Sequence, residues 1–117
     1  MNKKDEDTLN EFLREMSDNP EFCNINISDL TKKSVLNNNL LHVAAIKGQC
    51  KLCEILVWCG VGIDQRGEHG YTPLHEAAEQ KNILVYNLLI ELGANQNVKN
   101  DDCLTAKDLM EILYYKK

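Results

Sequence analysis

The stretch that decides the fold is GYTPLHEAA, Gly70–Ala78. Its first glycine suits a turn position with positive φ, and Pro73 suits the first turn of a helix, where the missing N–H costs no hydrogen bond. The small residues Ala77 and Ala78 allow another helix to pack at close range. The stretch therefore predicts a turn followed by a short helix over residues 73–80.

A second helix is predicted directly downstream, over residues 83–92. Its apolar side chains recur at helical spacing: Val85, Leu88, Leu89 and Leu92. Gly93 then suits a left-handed cap that ends the helix, and residues 94–97 lead toward the next turn. Residues 67–99 are thus predicted to form one helix–turn–helix unit.

The same pattern recurs 33 residues upstream, where LHVAA (Leu41–Ala45) is the counterpart of LHEAA (Leu74–Ala78). Gly60 likewise stands 33 residues before Gly93. Several residue classes recurring at one period indicate a repeat architecture, in which neighbouring units bury a shared apolar strip. Residues 34–66 are therefore predicted to be another complete unit with its own pair of helices.

Both ends of the stack are predicted to be incomplete units. The N-terminal one begins with an amphipathic helix whose apolar face holds Leu9, Phe12, Leu13 and Met16. Residues 1–33 are predicted to be a degenerate N-terminal cap with a lead-out at residues 22–26, before a long first finger. Residues 100–117 begin in register but stop before a second full helix, which predicts a truncated, polar C-terminal cap. We expect residues 1–117 to form a single domain.

GYTPLHEAA followed by LLIELGAN (Leu88–Asn95) resembles an ankyrin repeat, and the resemblance covers residues 37–109 well. It implies an all-α solenoid of stacked helix-turn-helix pairs, with β-hairpin fingers projecting from one edge. Ankyrin modules bind other proteins through the fingers and the concave face of the first helices. The resemblance therefore implies a protein partner and no cofactor, although the fold by itself fixes no particular partner.

The resemblance also assigns the binding surface residue by residue. The fingers contribute Arg66, Glu68, His69, Tyr71, Lys99, Asp101, Asp102 and Leu104. The concave ends of the first helices contribute Ile46, Lys47, Glu79 and Gln80. Tyr71 is the predicted hot spot, because aromatic residues are enriched among binding hot spots. The alternative is a Tyr71 ring that only lies on the adjacent finger.

Trp58 is a further candidate for binding. It falls near the exposed end of a second helix, where Glu91 occupies the equivalent place one repeat later. An exposed tryptophan here predicts a contact on the convex side or a dimer seam. Packing against the N-terminal helix, or partial shielding by Cys59 and Val61, is the alternative.

Structural roles are assigned to His42, His75, Thr72, Pro73, Gly60 and Gly93. The two histidines share one repeat slot, in which the ankyrin resemblance implies hydrogen bonds to neighbouring turns rather than metal binding or acid–base chemistry. Asp108 fills the same slot in the last unit. The glycines are predicted to end the second helices.

The charge of the chain bears on its partners. The net charge is −5, which disfavours nucleic acid, because phosphate binding depends on Lys and Arg. Residues 1–30 hold eight acidic and three basic residues and so account for the whole excess. They are either a solvated helix face or an acidic patch that steers a partner with a basic surface. Neither a signal peptide nor a stretch of about 18 apolar residues is found, so no membrane association is expected.

Five cysteines and no secretory signal favour free thiols in a reducing cytoplasm. Cys50 and Cys53 have the spacing of half a zinc knuckle or of a redox pair. No second pair follows, so small buried hydrophobic residues are the preferred interpretation and no metal is expected. No nucleophile–base set or phosphate-binding loop is recognisable, and a shallow concave face gives little of the desolvation that raises a catalytic pKa.

We therefore predict a cytoplasmic, non-enzymatic protein that binds another protein stoichiometrically. A chain this short leaves room for no second domain, so inhibition or masking of the partner is the simplest mechanism, for instance as an immunity protein that neutralises a toxin. The alternatives are a structural or self-assembling ankyrin protein, between monomer and weak oligomer, and a host-directed ankyrin effector. An enzyme or metal protein built on Cys50, Cys53 and His69 would require bound zinc.

Overall fold

The computed structural model describes residues 3–17 and 38–115. The α-helices in these ranges are α1 (Lys3–Ser17), α2 (Leu40–Lys47), α3 (Cys50–Trp58), α4 (Pro73–Glu79), α5 (Ile83–Glu91) and α6 (Ala106–Tyr115). A short 3-10 helix, Glu68–Gly70, lies between α3 and α4. No β-strand occurs in the described ranges, so the predicted β-hairpins are not confirmed there. The segments 66–71 and 99–104 are still called fingers, for their position only. The predicted lead-out at residues 22–26 and the first finger lie outside the described residues.

The helices pack in two rows. Helices α2, α4 and α6 lie side by side in one row, and α1, α3 and α5 lie side by side in the other. The rows are joined by the antiparallel pairs α2–α3 and α4–α5. This two-layer arrangement, in which each unit contacts its neighbours, is that of an all-α repeat solenoid.

The core lies between the two rows and is shared by successive units. The alanine pairs of α2 and α4 are all fully buried: Ala44, Ala45, Ala77 and Ala78. Their small side chains let the larger Leu56 of α3 and Leu89 of α5, both also fully buried, fill the space between the rows. The apolar face predicted for α1 is buried as well, through Leu9, Phe12, Leu13 and Met16. The amphipathic helix is therefore confirmed, and its role as a cap stays a prediction.

Glycine ends two helices of the second row, α3 and α5. Gly60 has a φ of 91°, and the N–H of Val61 after it bonds back to the carbonyl of Leu56 at 3.0 Å. Gly93 has a φ of 103°, and the residue after it makes the corresponding bond back into α5 at 2.9 Å. Since a positive φ suits glycine best, these caps set where α3 and α5 stop.

Candidate protein-binding surface

His75 joins the start of α4 to the following finger. Its Nδ1 accepts a hydrogen bond from the N–H of Thr72 at 3.1 Å. The proton therefore sits on Nε2, which donates to the carbonyl of Leu104 at 2.9 Å. Burial lowers the pKa of His75, and the nearby Arg66 lowers it further, although the bond to the Leu104 carbonyl acts in the opposite direction. The imidazole is thus neutral and holds two segments of backbone together.

His42 makes the same pair of bonds one repeat earlier. Its Nδ1 accepts from the N–H of Asn39 at 3.0 Å, and its Nε2 lies 2.8 Å from the carbonyl of Tyr71. In the last unit Asp108 accepts from the N–H of Thr105 at 3.0 Å, and this bond lowers the pKa of the Asp108 carboxyl. A carboxylate has no proton to donate, so Asp108 caps α6 without the onward bond that the histidines make.

The two described fingers are bonded to each other near their tips. The N–H of Asp101 donates to the carbonyl of His69 at 3.0 Å, and the guanidinium of Arg66 lies 3.1 Å from the Asp101 carboxylate. The earlier finger is also closed on itself by a 2.7 Å bond from the N–H of Gly67 to the carbonyl of Tyr71. Four of the residues assigned to binding therefore belong to one connected turn structure.

The side chains of these fingers are directed largely to solvent. Six of the assigned residues are exposed, namely Arg66, Glu68, His69, Lys99, Asp101 and Asp102. Tyr71 and Leu104 are half-buried, and they are the two residues whose carbonyls the histidines hold. The finger surface thus consists of charged tips above a partly apolar base.

Tyr71 is tied to α4 of its own repeat. Its ring centroid lies 5.4 Å from that of His75. Burial, followed by the nearby carboxylate of Glu79, raises the pKa of Tyr71 to about 12. The ring is therefore neutral and oriented before any partner arrives.

At the C-terminal ends of α2 and α4, all four assigned positions are exposed: Ile46, Lys47, Glu79 and Gln80. Lys47 is engaged by α1, because its Nζ lies 2.9 Å from Oε2 of Glu15. The sequence interpretation missed Ile112 of α6, which is 42% exposed. Two steps of the 33-residue period lead from Ile46 through Glu79 to Ile112, and that signal was available in the sequence.

Trp58 lies apart from the fingers, at the end of α3. Its side chain is 86% exposed, so neither α1 nor its chain neighbours cover the ring. A cleft of about 370 Å³ beside it is lined by Asp5, Lys51, Glu54, Ile55, Trp58 and Cys59. Leu84 of α5, which is 75% exposed, is a second apolar residue on this row that the sequence interpretation did not single out.

The acidic residues of α1 are partly neutralised by neighbouring lysines. Asp5 lies 3.6 Å from Nζ of Lys51, and Glu15 is bonded to Lys47 as described above. Glu6, Asp7 and Glu11 are exposed. The described part of the predicted acidic patch is therefore smaller than the sequence count indicates.

Cys53 of α3 is poorly suited to nucleophilic chemistry. Burial raises the pKa of Cys53 to about 12, and the neighbouring Cys50 adds to this, so the reactive thiolate is disfavoured. Across residues 3–17 and 38–115, no three His, Cys, Asp or Glu side chains come together as a metal site. Within the same ranges, no helix has the length and apolar character needed to cross a bilayer.

Comparisons with known proteins agree with this architecture. The sequence model of a family described as ankyrin repeats (3 copies) matches residues 1–100. Human protein phosphatase 1 regulatory subunit 27 is 38% identical over 71 residues, which are 61% of this chain and 46% of that protein. Ankyrin repeat and SOCS box protein 5 from Bos taurus is 39% identical over 69 residues, 59% of this chain and 21% of that protein. The match thus spans less than half the length of either relative.

Proposed function

We propose, from the premise that this chain belongs to the ankyrin repeat family, that it is a non-enzymatic inhibitor or masking protein for another protein. Ankyrin repeats are protein–protein interaction modules, so the class of partner follows from the family. The name of one relative, a regulatory subunit of protein phosphatase 1, supports regulation through binding as the mode of action. A cytoplasmic location is part of the proposal, since Cys50, Cys53, Cys59 and Cys103 are free thiols.

The observation that carries the proposal is the connected finger surface. Asp101 bonds to His69 and Arg66, while the histidines of α2 and α4 fix the bases of both fingers. A surface that is ordered before binding loses less conformational entropy when a partner docks. Charged tips held in this way favour recognition of a partner over a role in packing.

The proposed contact surface has a definite composition. It comprises Arg66, Glu68, His69, Tyr71, Lys99, Asp101, Asp102 and Leu104 of the fingers, with Ile46, Lys47, Glu79, Gln80 and Ile112 of the helices. Its four carboxylates outnumber its three lysine and arginine side chains, which favours a partner with a basic surface. An immunity protein that covers the basic substrate groove of a toxin is a specific form of this proposal.

The test begins with capture of the partner from cells that express the tagged chain, followed by reconstitution from purified components. We expect a stoichiometric complex in which the activity of the partner falls in proportion to the fraction bound. A finger variant, Asp102→Lys, should weaken the complex, whereas Asn87→Lys on the exposed face of α5 makes a smaller charge change outside the surface and should not. A partner that stays fully active in the saturated complex would contradict inhibition and leave only a binding role.

Self-assembly is the second candidate, and the exposure of Trp58 and Leu84 favours it. Apolar side chains exposed on one row of helices can form a seam between two copies. Size-exclusion chromatography with light scattering separates the two functions. A mass that stays that of one chain at micromolar concentration excludes the assembly, and a concentration-dependent increase supports it.

A further inference from the structure

The outer row of helices carries a tryptophan that the repeat architecture does not require. Glu91 occupies the same place as Trp58 one repeat later, and both residues lie at the solvent-exposed ends of their helices. With 86% of its surface exposed, Trp58 contributes little to the core. A large aromatic side chain at such a position needs an explanation other than packing.

The cleft beside Trp58 combines this ring with negative charge. Asp5 of α1 and Glu54 of α3 place two carboxylates in its lining, and Lys51 offsets one of them. Ile55 and Cys59 complete an apolar floor. An exposed indole ring next to excess carboxylate is complementary to a cation that also has a flat apolar face.

We infer that this cleft binds an arginine side chain of a partner protein, with the guanidinium stacked on Trp58 and paired with the carboxylate of Glu54. A guanidinium is planar and weakly hydrated, so it stacks on an aromatic face more readily than the ammonium of lysine. The cleft is lined by residues of α1 and α3 and by Cys59, with no finger residue among them. The inference therefore stands independently of the proposed finger surface.

Trp58 is the single tryptophan of the sequence, so its fluorescence reports directly on this cleft. The probe is the peptide acetyl-Gly-Arg-Gly-amide, titrated into the full chain at low salt. We expect a saturable change in emission with a dissociation constant in the millimolar range. The matched peptide with citrulline, which keeps the shape of arginine without its charge, should produce no saturable change.

Variants of Glu54 and Trp58 test whether these residues bind the peptide, and a variant of Glu91 is the control. Glu54→Gln should raise the dissociation constant about threefold, because a partly exposed carboxylate contributes modestly to an ion pair. Glu91→Gln, which removes the same charge from the neighbouring helix α5, should leave it unchanged. Trp58→Ala, which removes the ring without adding a charge, should weaken binding at least about fivefold when followed by backbone amide NMR shifts.

Three results would overturn the inference. The first is an absence of saturable change with the arginine peptide. The second is equal binding of the citrulline peptide, or of a leucine peptide, because the cleft would then recognise apolar surface and not a cation. The third is an emission change on dilution of the protein alone, which would assign Trp58 to contacts with a second copy. Circular dichroism of each variant verifies that the fold is retained.

Discussion

The two helical hairpins α2–α3 and α4–α5 can be compared position by position, with each residue of the first paired with the residue 33 places later. Positions that bond to backbone or end a helix agree, whereas several exposed positions differ. At the start of each first helix, His42 and His75 make equivalent bonds to their own helix and to the next finger. At the end of each second helix, Gly60 and Gly93 have positive φ angles and the same backbone bonds. These slots agree because buried backbone groups must find partners.

Several solvent-exposed positions carry different residues in the two hairpins. Ile46 of α2 stands where α4 has Glu79, and Trp58 of α3 stands where α5 has Glu91. All four side chains are exposed, so the fold tolerates either residue. Stability is thus expected to depend on the positions that agree between the hairpins, and we propose that recognition depends on the positions that differ. Each prediction below tests one side of that division.

The largest effect is expected from the histidine slot. His75→Ala and His42→Ala should each lower the free energy of unfolding by about 2–6 kcal/mol, since one buried and one partly buried backbone group lose partners that contribute about 1–3 kcal/mol apiece. Urea denaturation measures both. His69→Asn is the control, because the finger-tip histidine is exposed and asparagine tolerates its positive φ, so the change should stay below about 0.5 kcal/mol. An equally large loss of stability in His69→Asn would show that the position shared by His42 and His75 is not specially important for stability.

The same slot should make stability depend on pH. The pKa of His75 is lowered from its ordinary 6.5 in the folded state, so the unfolded chain takes up the proton first. The stability contribution is thus complete above pH 6.5 and is lost as the pH falls toward the folded pKa. Its slope can reach about 1.4 kcal/mol per pH unit for one proton. Urea denaturation between pH 7.5 and pH 5 should show it, and His75→Gln should remove that part of the slope.

Tyr71 tests the positions that differ, since Asn38 stands at its place one repeat earlier. Tyr71→Ala should weaken partner binding by more than about 1 kcal/mol if the ring is a hot spot. Calorimetric titration with the captured partner measures this. Tyr71→Phe keeps the ring and loses only the hydroxyl, so it should retain most of the affinity. An unchanged affinity in a folded Tyr71→Ala protein would reject the assignment.

The glycine slot should have a smaller effect on stability. No atom lies within 4 Å of the position that a Cβ would take at Gly60 or Gly93, so alanine meets only backbone strain there. Each substitution should cost about 1 kcal/mol, measured by thermal unfolding. Gly62→Ala is the control, because its Cβ would make ordinary contacts at 3.7 Å without a positive φ. Equal losses at all three positions would show that backbone conformation is not the cause.

The smallest effect is expected at Trp58. Trp58→Glu exchanges the residue of one hairpin for that of the other, and the side chain is 86% exposed. The free energy of unfolding should change by less than about 0.5 kcal/mol. A decrease of more than about 1 kcal/mol in the free energy of unfolding, measured with urea, would mean that the indole supports the fold. Position 58 would then belong with the positions on which stability depends.

Much of this division could be predicted from the sequence. Helix α4 was predicted over residues 73–80 and is Pro73–Glu79, and α5 was predicted over residues 83–92 and is Ile83–Glu91. Such boundaries are local properties, because Thr72 caps one helix and Gly93 ends the other. The exposed apolar residues Leu84 and Ile112 escaped notice, since a helix made mainly of apolar residues does not reveal which of them meet solvent.

The sequence by itself determined the period, the positions of the helices and the family, because each depends on residues close together in the chain. Only the tertiary structure decided that Arg66 forms an ion pair with Asp101 and that Glu15 forms one with Lys47. It also decided that Trp58 is exposed and that Asp5 of α1 lines the same cleft. The physical reason is that stacking brings together side chains remote in sequence, and their separation in space sets how their charges interact.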